Sequence, residues 1–173
     1  MPMIAQFGEK TMRKNKKGLK VLAFVLFILI SCKFSAQYYE PVVQKESTGR
    51  LEIHVIDVGQ GDSFLVVSPS GKKILIDGGD TGKGSKIVLP YLLSRGVSSI
   101  DYVIASHFHA DHIGGLDEVI NGLGGSGKIS VAAYDRGGTY NSKAFQEYIA
   151  SVGDKRKTIL PYQIIDLGDG VTL

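Results

Sequence analysis

The sequence predicts an α+β domain of stacked sheet and helix layers. Its first folded stretch is rich in short strands, and its middle alternates strand with helix. Glycine clusters such as "DGGD", "GKG" and "GLGGSG" mark tight connections between those pieces. With 43% apolar and 21% charged residues, the composition is that of an ordinary globular protein.

In order, "LEIHVIDV" (51–58) alternates Leu51, Ile53 and Val55 with Glu52 and His54, the pattern of a half-buried strand. "SFLVVSPSGKKILIDGG" (63–79) reads as two apolar strands joined by a "SPSGKK" turn. "SKIVLPYLLSRG" (85–96) places Ile87, Val88, Tyr91 and Leu92 at helical spacing and stops at Gly96. Pro90 then belongs to a first turn or a kink. "IDYVIAS" (100–106) is a strand, "GLDEVING" (115–122) a helix ending at Gly122, and "KISVAAYD" (128–135) a strand. "NSKAFQEYIASVG" (141–153) is a helix capped by Asn141 or Ser142 and closed by Gly153. "YQIIDLGDGVTL" supplies two strand-like pieces around a "GDG" turn. An apolar run with no closing element ends at Leu173, so residues 51–173 are expected to be the first part of a longer domain.

The formal charge of +3 resides at the N-terminus. Residues 1–20 hold six Lys or Arg against one acid, leaving 14 basic and 16 acidic residues elsewhere. That remainder offers no basic footprint for nucleic acid. The cationic "MRKNKKGLK", which makes Met12 an alternative start, precedes the apolar run "VLAFVLFILI" (21–30). Ten residues give ~15 Å of helix against a bilayer core of ~30 Å, which favours an export signal over a spanning helix. "LISC" (29–32) resembles a bacterial lipobox, and Cys32 is the sole cysteine, with no disulfide partner in the chain. The expected organisation is a signal segment (1–32) ending at a lipidated Cys32, a polar tether (33–50), and the domain. The protein would then face outside the bacterial cytoplasm, held to the membrane by lipid.

One stretch concentrates chemistry. "ASHFHADHIGG" (105–115) holds three of the four histidines. In extended chain His107 and His109 point the same way, and Asp111 and His112 follow a turn toward a second nearby point. Imidazole and carboxylate are natural ligands for zinc and related first-row metals. Gly114 and Gly115 allow a tight entry into the next helix, whose N-terminus would present N–H groups toward an anion. At average composition, such a four-residue pattern arises by chance on the order of once in ten thousand chains.

"HFHADH" resembles the H-x-H-x-D-H signature of the metallo-β-lactamase superfamily, a four-layer αβ/βα sandwich with a metal site at one edge of its two sheets. "ILIDGG" is similar to the strand-end aspartate motif of that fold. "HVIDVGQGDSFLV" and "AYDRGGTY" resemble the subgroup related to the soluble domain of competence (ComEC-type) DNA-uptake proteins. The likeness runs from residue 51 to 173. It implies His107 and His109 as ligands of one metal, and Asp111 and His112 as ligands of a second. Asp111, beside the attacking water, is the implied catalytic residue, and Asp77 would brace the ligands from below. The implied cofactor is one or two zinc ions, with manganese as the alternative. The implied activity is hydrolysis, by metal-activated water, of a phosphodiester. Lactam, ester or phosphorylcholine-type substrates are the alternative, and a non-catalytic metal-binding domain is the rival of another class.

The family's usual third histidine, bridging aspartate and final histidine have no match here; those ligands are expected beyond Leu173, and residues 51–173 by themselves are expected to hold metal weakly and turn over little or no substrate. His54 is read as structural. Asp135 and Asp166 are ligand candidates by position only, against turn or capping roles. The resemblance puts Asp57, Gln60 and Asp62 on the site's rim, although turn chemistry around Gly59 and Gly61 accounts for them as well. Arg136 is either a contact for an anionic substrate or a solvated turn residue. "GDTGKGSK" (79–86) lacks phosphate-loop spacing and reads as a loop before a helix.

Overall fold

A computed structural model describes residues 49–173. The signal segment, Cys32 and nearly all of the tether lie outside the described residues. Among the described residues, no helix is long and apolar enough to cross a membrane.

Six short strands form one mixed sheet in sequential order. They are β1 (Glu52–Val55), β2 (Phe64–Val67), β3 (Lys73–Ile76), β4 (Ile100–Ile104), β5 (Ile129–Asp135) and β6 (Arg156–Thr158). β1, β2 and β3 pair antiparallel, whereas β3 to β6 run parallel. The change follows from the connections. The β2–β3 turn closes in five residues, with Ser68 and Lys72 hydrogen-bonded across it and Gly71 at a φ of 85°. The later strands are separated by helices, and a crossover of that length returns the chain parallel. The helices are α1 (Leu89–Ser94), α2 (Ala110–Ile113), α3 (Leu116–Leu123) and α4 (Lys143–Val152).

Adjacent residues on each strand serve opposite faces. Leu65, Leu75, Val103 and Ala133 point to the helical side and join Leu92, Leu116, Ile120 and Tyr148 in the larger core. Val66, Ile74, Tyr102 and Ala132 point the other way, under Ile165 and Leu167 of the C-terminal segment. Each fully buried aliphatic side chain in these layers contributes about 1.5–3 kcal/mol of transfer free energy. The described residues thus supply one sheet and one helical layer of the expected sandwich.

The strand expected over 51–58 is found only over Glu52–Val55, and its orientation is reversed. Ile53 and Val55 are 64% and 74% exposed, and the half-buried residues of β1 are Glu52 and His54. Register is the cause. Opposite residues of paired strands share a face, and His54 pairs with Leu65, which lies beneath the helices, whereas Ile53 pairs with Val66 on the other face. His54 Nδ1 meets the Tyr91 hydroxyl at 2.8 Å and its Nε2 lies 3.1 Å from Glu52, which Arg95 also reaches at 3.3 Å. His54 therefore ties the edge strand to α1, a structural role.

Two helices and the C-terminal segment differ from expectation. Residues Gly84–Val88 form a π-turn that runs without a break into α1, so Pro90 lies inside a continuous helical stretch and the irregular hydrogen bonding sits just before it. Gly122 does not end α3. The helix continues to Leu123 and stops at Gly124, whose φ is 118°. Gly122 instead faces Leu89, and a Cβ there would overlap that side chain. The C-terminal piece folds as a tight reversal with one isolated bridge, Asp166 to Thr172, rather than two strands. β6 has no counterpart among the expected elements.

α4 starts as its sequence indicates. Ser142 is its N-cap, and its Oγ accepts from the Phe145 N–H at 3.1 Å. Replacing Ser142 with alanine is expected to lower stability by about 1 kcal/mol, read as a shift in the urea midpoint at constant slope.

Candidate metal centre

β3, β4 and β5 are parallel, so their C-terminal ends open on the same edge of the sheet. There the chain delivers Asp77 from β3, Ser106 and His107 just past β4, and Asp135 and Arg136 at the end of β5. His109 is still extended, at φ −73° and ψ 149°, and caps α2, so Asp111 and His112 already belong to a helical turn. That switch from extended to helical backbone gathers side chains that a continuous strand would spread apart. The ring centroid of His107 is 4.7 Å from that of His109 and 3.9 Å from that of His112. His112 Nε2 lies 3.9 Å from the Asp111 carboxylate.

Asp77 sits beneath this cluster and is 2% exposed. One carboxylate oxygen accepts from the Ser106 N–H at 2.9 Å; the other accepts from the Ser106 hydroxyl at 2.5 Å and lies 3.0 Å from His112 Nδ1. A hydrogen bond from His112 Nδ1–H to Asp77 fixes the tautomer that leaves the Nε2 lone pair outward. Asp77 itself has a φ of 56°, a left-handed conformation that aspartate tolerates better than most residues. Its N–H still bonds the Ile104 carbonyl, so the chain leaves β3 and turns at once.

Backbone contacts hold the surrounding loops. Gly61 has a φ of 99°, and a Cβ there would overlap the Asp111 carbonyl. The 57–62 loop therefore rests directly on α2. Gly115 packs as closely on Gly78 and Gly84. The start of α3 is consequently buried, and its first turn carries Asp117 and Glu118, the latter accepting from the Gly82 and Ser85 N–H groups. Contrary to expectation, that helix end is closed to an anion.

Of the rim candidates, Asp62 reaches the site, 3.7 Å from His112 Nδ1. Asp57 accepts from the Gly59 N–H at 3.0 Å in a local turn, and Gln60 is exposed. Asp135 is not brought to the histidines. It is 1% exposed and accepts from Arg156 Nε at 2.7 Å and Nη2 at 3.2 Å, the Gly137 N–H at 2.7 Å and the Tyr148 hydroxyl at 3.3 Å. Burial, reinforced by the Asp135 charge, pushes the Tyr148 phenol far above its ordinary pKa, so it remains a donor. The hydrogen bond to Asp135 likewise raises the Arg156 pKa. Asp166 accepts from the Gly168 N–H at 2.8 Å, a turn role. Ser106 is absent from the residues that the sequence singles out, although its place between a buried strand and His107 is a usable signal.

The donor chemistry suits zinc or manganese: three imidazoles, two of them with an Nε2 turned away from an Nδ1 contact, and a neighbouring carboxylate. Among the described residues, no three His, Cys, Asp or Glu side chains close on a single ion position. The cluster is thus a set of donors rather than a finished cage.

The chain is also similar to known proteins. The family described as Metallo-beta-lactamase superfamily matches residues 56–163. ComE operon protein 3 of Bacillus subtilis is 34% identical in a 79-position alignment that covers 36% of this chain and 10% of that protein. Ribonuclease Z of Clostridium kluyveri is 37% identical over 65 residues, 38% of this chain and 20% of that protein. Among solved structures, the metallo-beta-lactamase SMB-1 bound to 2-mercaptoethanesulfonate aligns with a TM-score of 0.46 at 22% identity, covering 66% of this chain and 46% of that one. The matched region thus spans a tenth to a fifth of the length of these curated relatives.

Proposed function

Because the chain belongs to the metallo-beta-lactamase superfamily, we propose that it is a metal-dependent hydrolase acting on a phosphodiester. The observation that carries this reading is the gathering of His107, His109, His112 and Asp111 at the strand ends, with His112 oriented by the buried Asp77. Bound zinc, or manganese as the alternative, supplies acidification of water and stabilisation of negative charge on the substrate. His107 and His109 would hold one ion, and Asp111 and His112 a second. The Asp111 carboxylate accepts a hydrogen bond from the attacking water and aligns it. Asp77 keeps His112 in one tautomer throughout. The choice of phosphodiester draws on the relative named Ribonuclease Z, since a ribonuclease cuts that bond.

The test is hydrolysis by the zinc-loaded full-length protein. Bis(p-nitrophenyl) phosphate is expected to be cleaved, with loss of activity in EDTA and recovery on adding zinc or manganese. Faster turnover of p-nitrophenyl acetate or a chromogenic lactam would move the assignment to those substrates. Zinc uptake with no hydrolysis of any probe would instead favour a non-catalytic metal-binding domain.

Attachment to the membrane through Cys32 is a separate part of the proposal, supported by the "LISC" pattern after a cationic and apolar leader. Cys32→Ala is expected to move the protein from the membrane fraction to the soluble one, or to leave the leader unprocessed. Unchanged fractionation and processing would rule out the lipid anchor.

A further inference from the structure

We infer that Arg136 and Tyr140, on the loop after β5, form an anion-binding wall beside His109 that takes the two non-bridging oxygens of the substrate phosphodiester. The inference rests on the phosphodiester reading above and adds the group that recognises its charge. The Arg136 guanidinium lies 4.5 Å from the centroid of Phe108, the residue between His107 and His109. The Tyr140 ring lies 6.0 Å from that of His109 and 6.3 Å from that of Phe108. The two side chains thus border the histidine motif on its β5 side, and both are exposed.

The alternative, an arginine placed only by solvation, fits poorly with what lies beneath it. The loop is pinned from inside the fold. The buried Asp135 holds the Gly137 N–H, and Arg156 clamps Asp135 while donating to the Gly138 carbonyl at 2.9 Å. Gly137 has a φ of 75° and lies so close that a Cβ would come within 2.7 Å of Thr158 Cγ2, which leaves no room to shift toward β6. The two arginines therefore divide the work. Arg156 spends its donors on Asp135 and the loop backbone. Arg136, among the described residues, makes no hydrogen bond or ion pair and rests on an aromatic face. Stacking uses the face of a guanidinium and leaves its in-plane N–H groups free, the edge that pairs with two oxygens of one phosphate. The pinned loop fixes the Arg136 backbone, and the contact with Phe108 restrains its side chain, so less entropy is lost when the substrate arrives.

The experiment is titration with dimethyl phosphate, a diester without a labile group, followed through the Arg136 Nε–H resonance in the metal-free and the zinc-loaded chain. That resonance is expected to shift on saturation in both. Arg136→Ala should weaken dimethyl phosphate binding roughly tenfold or more, and Tyr140→Phe about threefold, with zinc content unchanged. Arg136→Lys should fall between wild type and alanine, because an ammonium lacks the two-pronged edge. Unchanged affinity in Arg136→Ala overturns the wall, and if that variant still cleaves bis(p-nitrophenyl) phosphate the hydrolase reading stands without it. Weakened binding in Arg136→Ala, with no hydrolysis by wild type, upholds the wall while sinking the hydrolase. Acetate competing as strongly as dimethyl phosphate would overturn the assignment to a phosphodiester.

Discussion

Alanine at both His107 and His109 is expected to strip the chain of its first metal ion and of metal-dependent phosphodiester cleavage, while leaving the fold in place. Loss of a group that merely supports a ligand costs about 10–100-fold in metal affinity. Removing two direct ligands should therefore cost on the order of 1,000-fold or more, the same factor applied twice. The fold should not follow. His109 is exposed and His107 only half-buried, whereas Phe108, the residue between them that anchors the segment, is 2% exposed and untouched. Stability is expected to stay within about 0.5 kcal/mol of wild type, as for surface substitutions generally. Metal content by elemental analysis and the urea midpoint check the two halves together. Wild-type zinc content in the double variant would remove this site from the protein's chemistry.

Asp77→Ala is expected to be costly in both respects. The substitution strands His112 Nδ1–H and the Ser106 N–H and hydroxyl, which Asp77 now accepts from. Unmet buried donors cost about 1–3 kcal/mol each, but Ser106 is exposed and can turn to water, so the lower end applies. Alanine must also adopt the left-handed φ of 56° at this position, for about 1–2 kcal/mol. The sum is a loss of roughly 3 kcal/mol, measured by urea unfolding. Metal affinity should fall about 10–100-fold as His112 loses its fixed tautomer. Asp77→Asn separates the two effects. It tolerates the backbone angle and keeps an acceptor, so it should lose metal affinity with a smaller shift in the urea midpoint. An unchanged midpoint in Asp77→Ala would mean that Asp77 does not brace the site.

Much of the site is legible in the sequence alone, because the histidine motif packs four donors into six positions, a density that chance seldom produces. Asp77 is placed beneath the histidines only by resemblance. Its bond to His112 spans 35 positions and depends on β3 and β4 lying parallel and in register. Asp135 shows the opposite outcome. Its position at a strand end makes it a candidate ligand, yet Arg156, 21 positions later, claims the carboxylate and converts it into the foundation of a loop.

By itself the sequence determined where most strands and helices between residues 51 and 153 fall, since side-chain periodicity, caps and glycines act within a few residues. It also determined that one short segment concentrates imidazole and carboxylate donors. Only the tertiary structure decided which face of β1 meets the helices, because that depends on pairing His54 with Leu65 and not on the strand's own alternation. It alone gave Arg136 and Arg156 different tasks. Both are arginines near the end of a strand, and what separates them is whether a buried carboxylate or an aromatic ring lies within reach, a fact of long-range packing that no local pattern records.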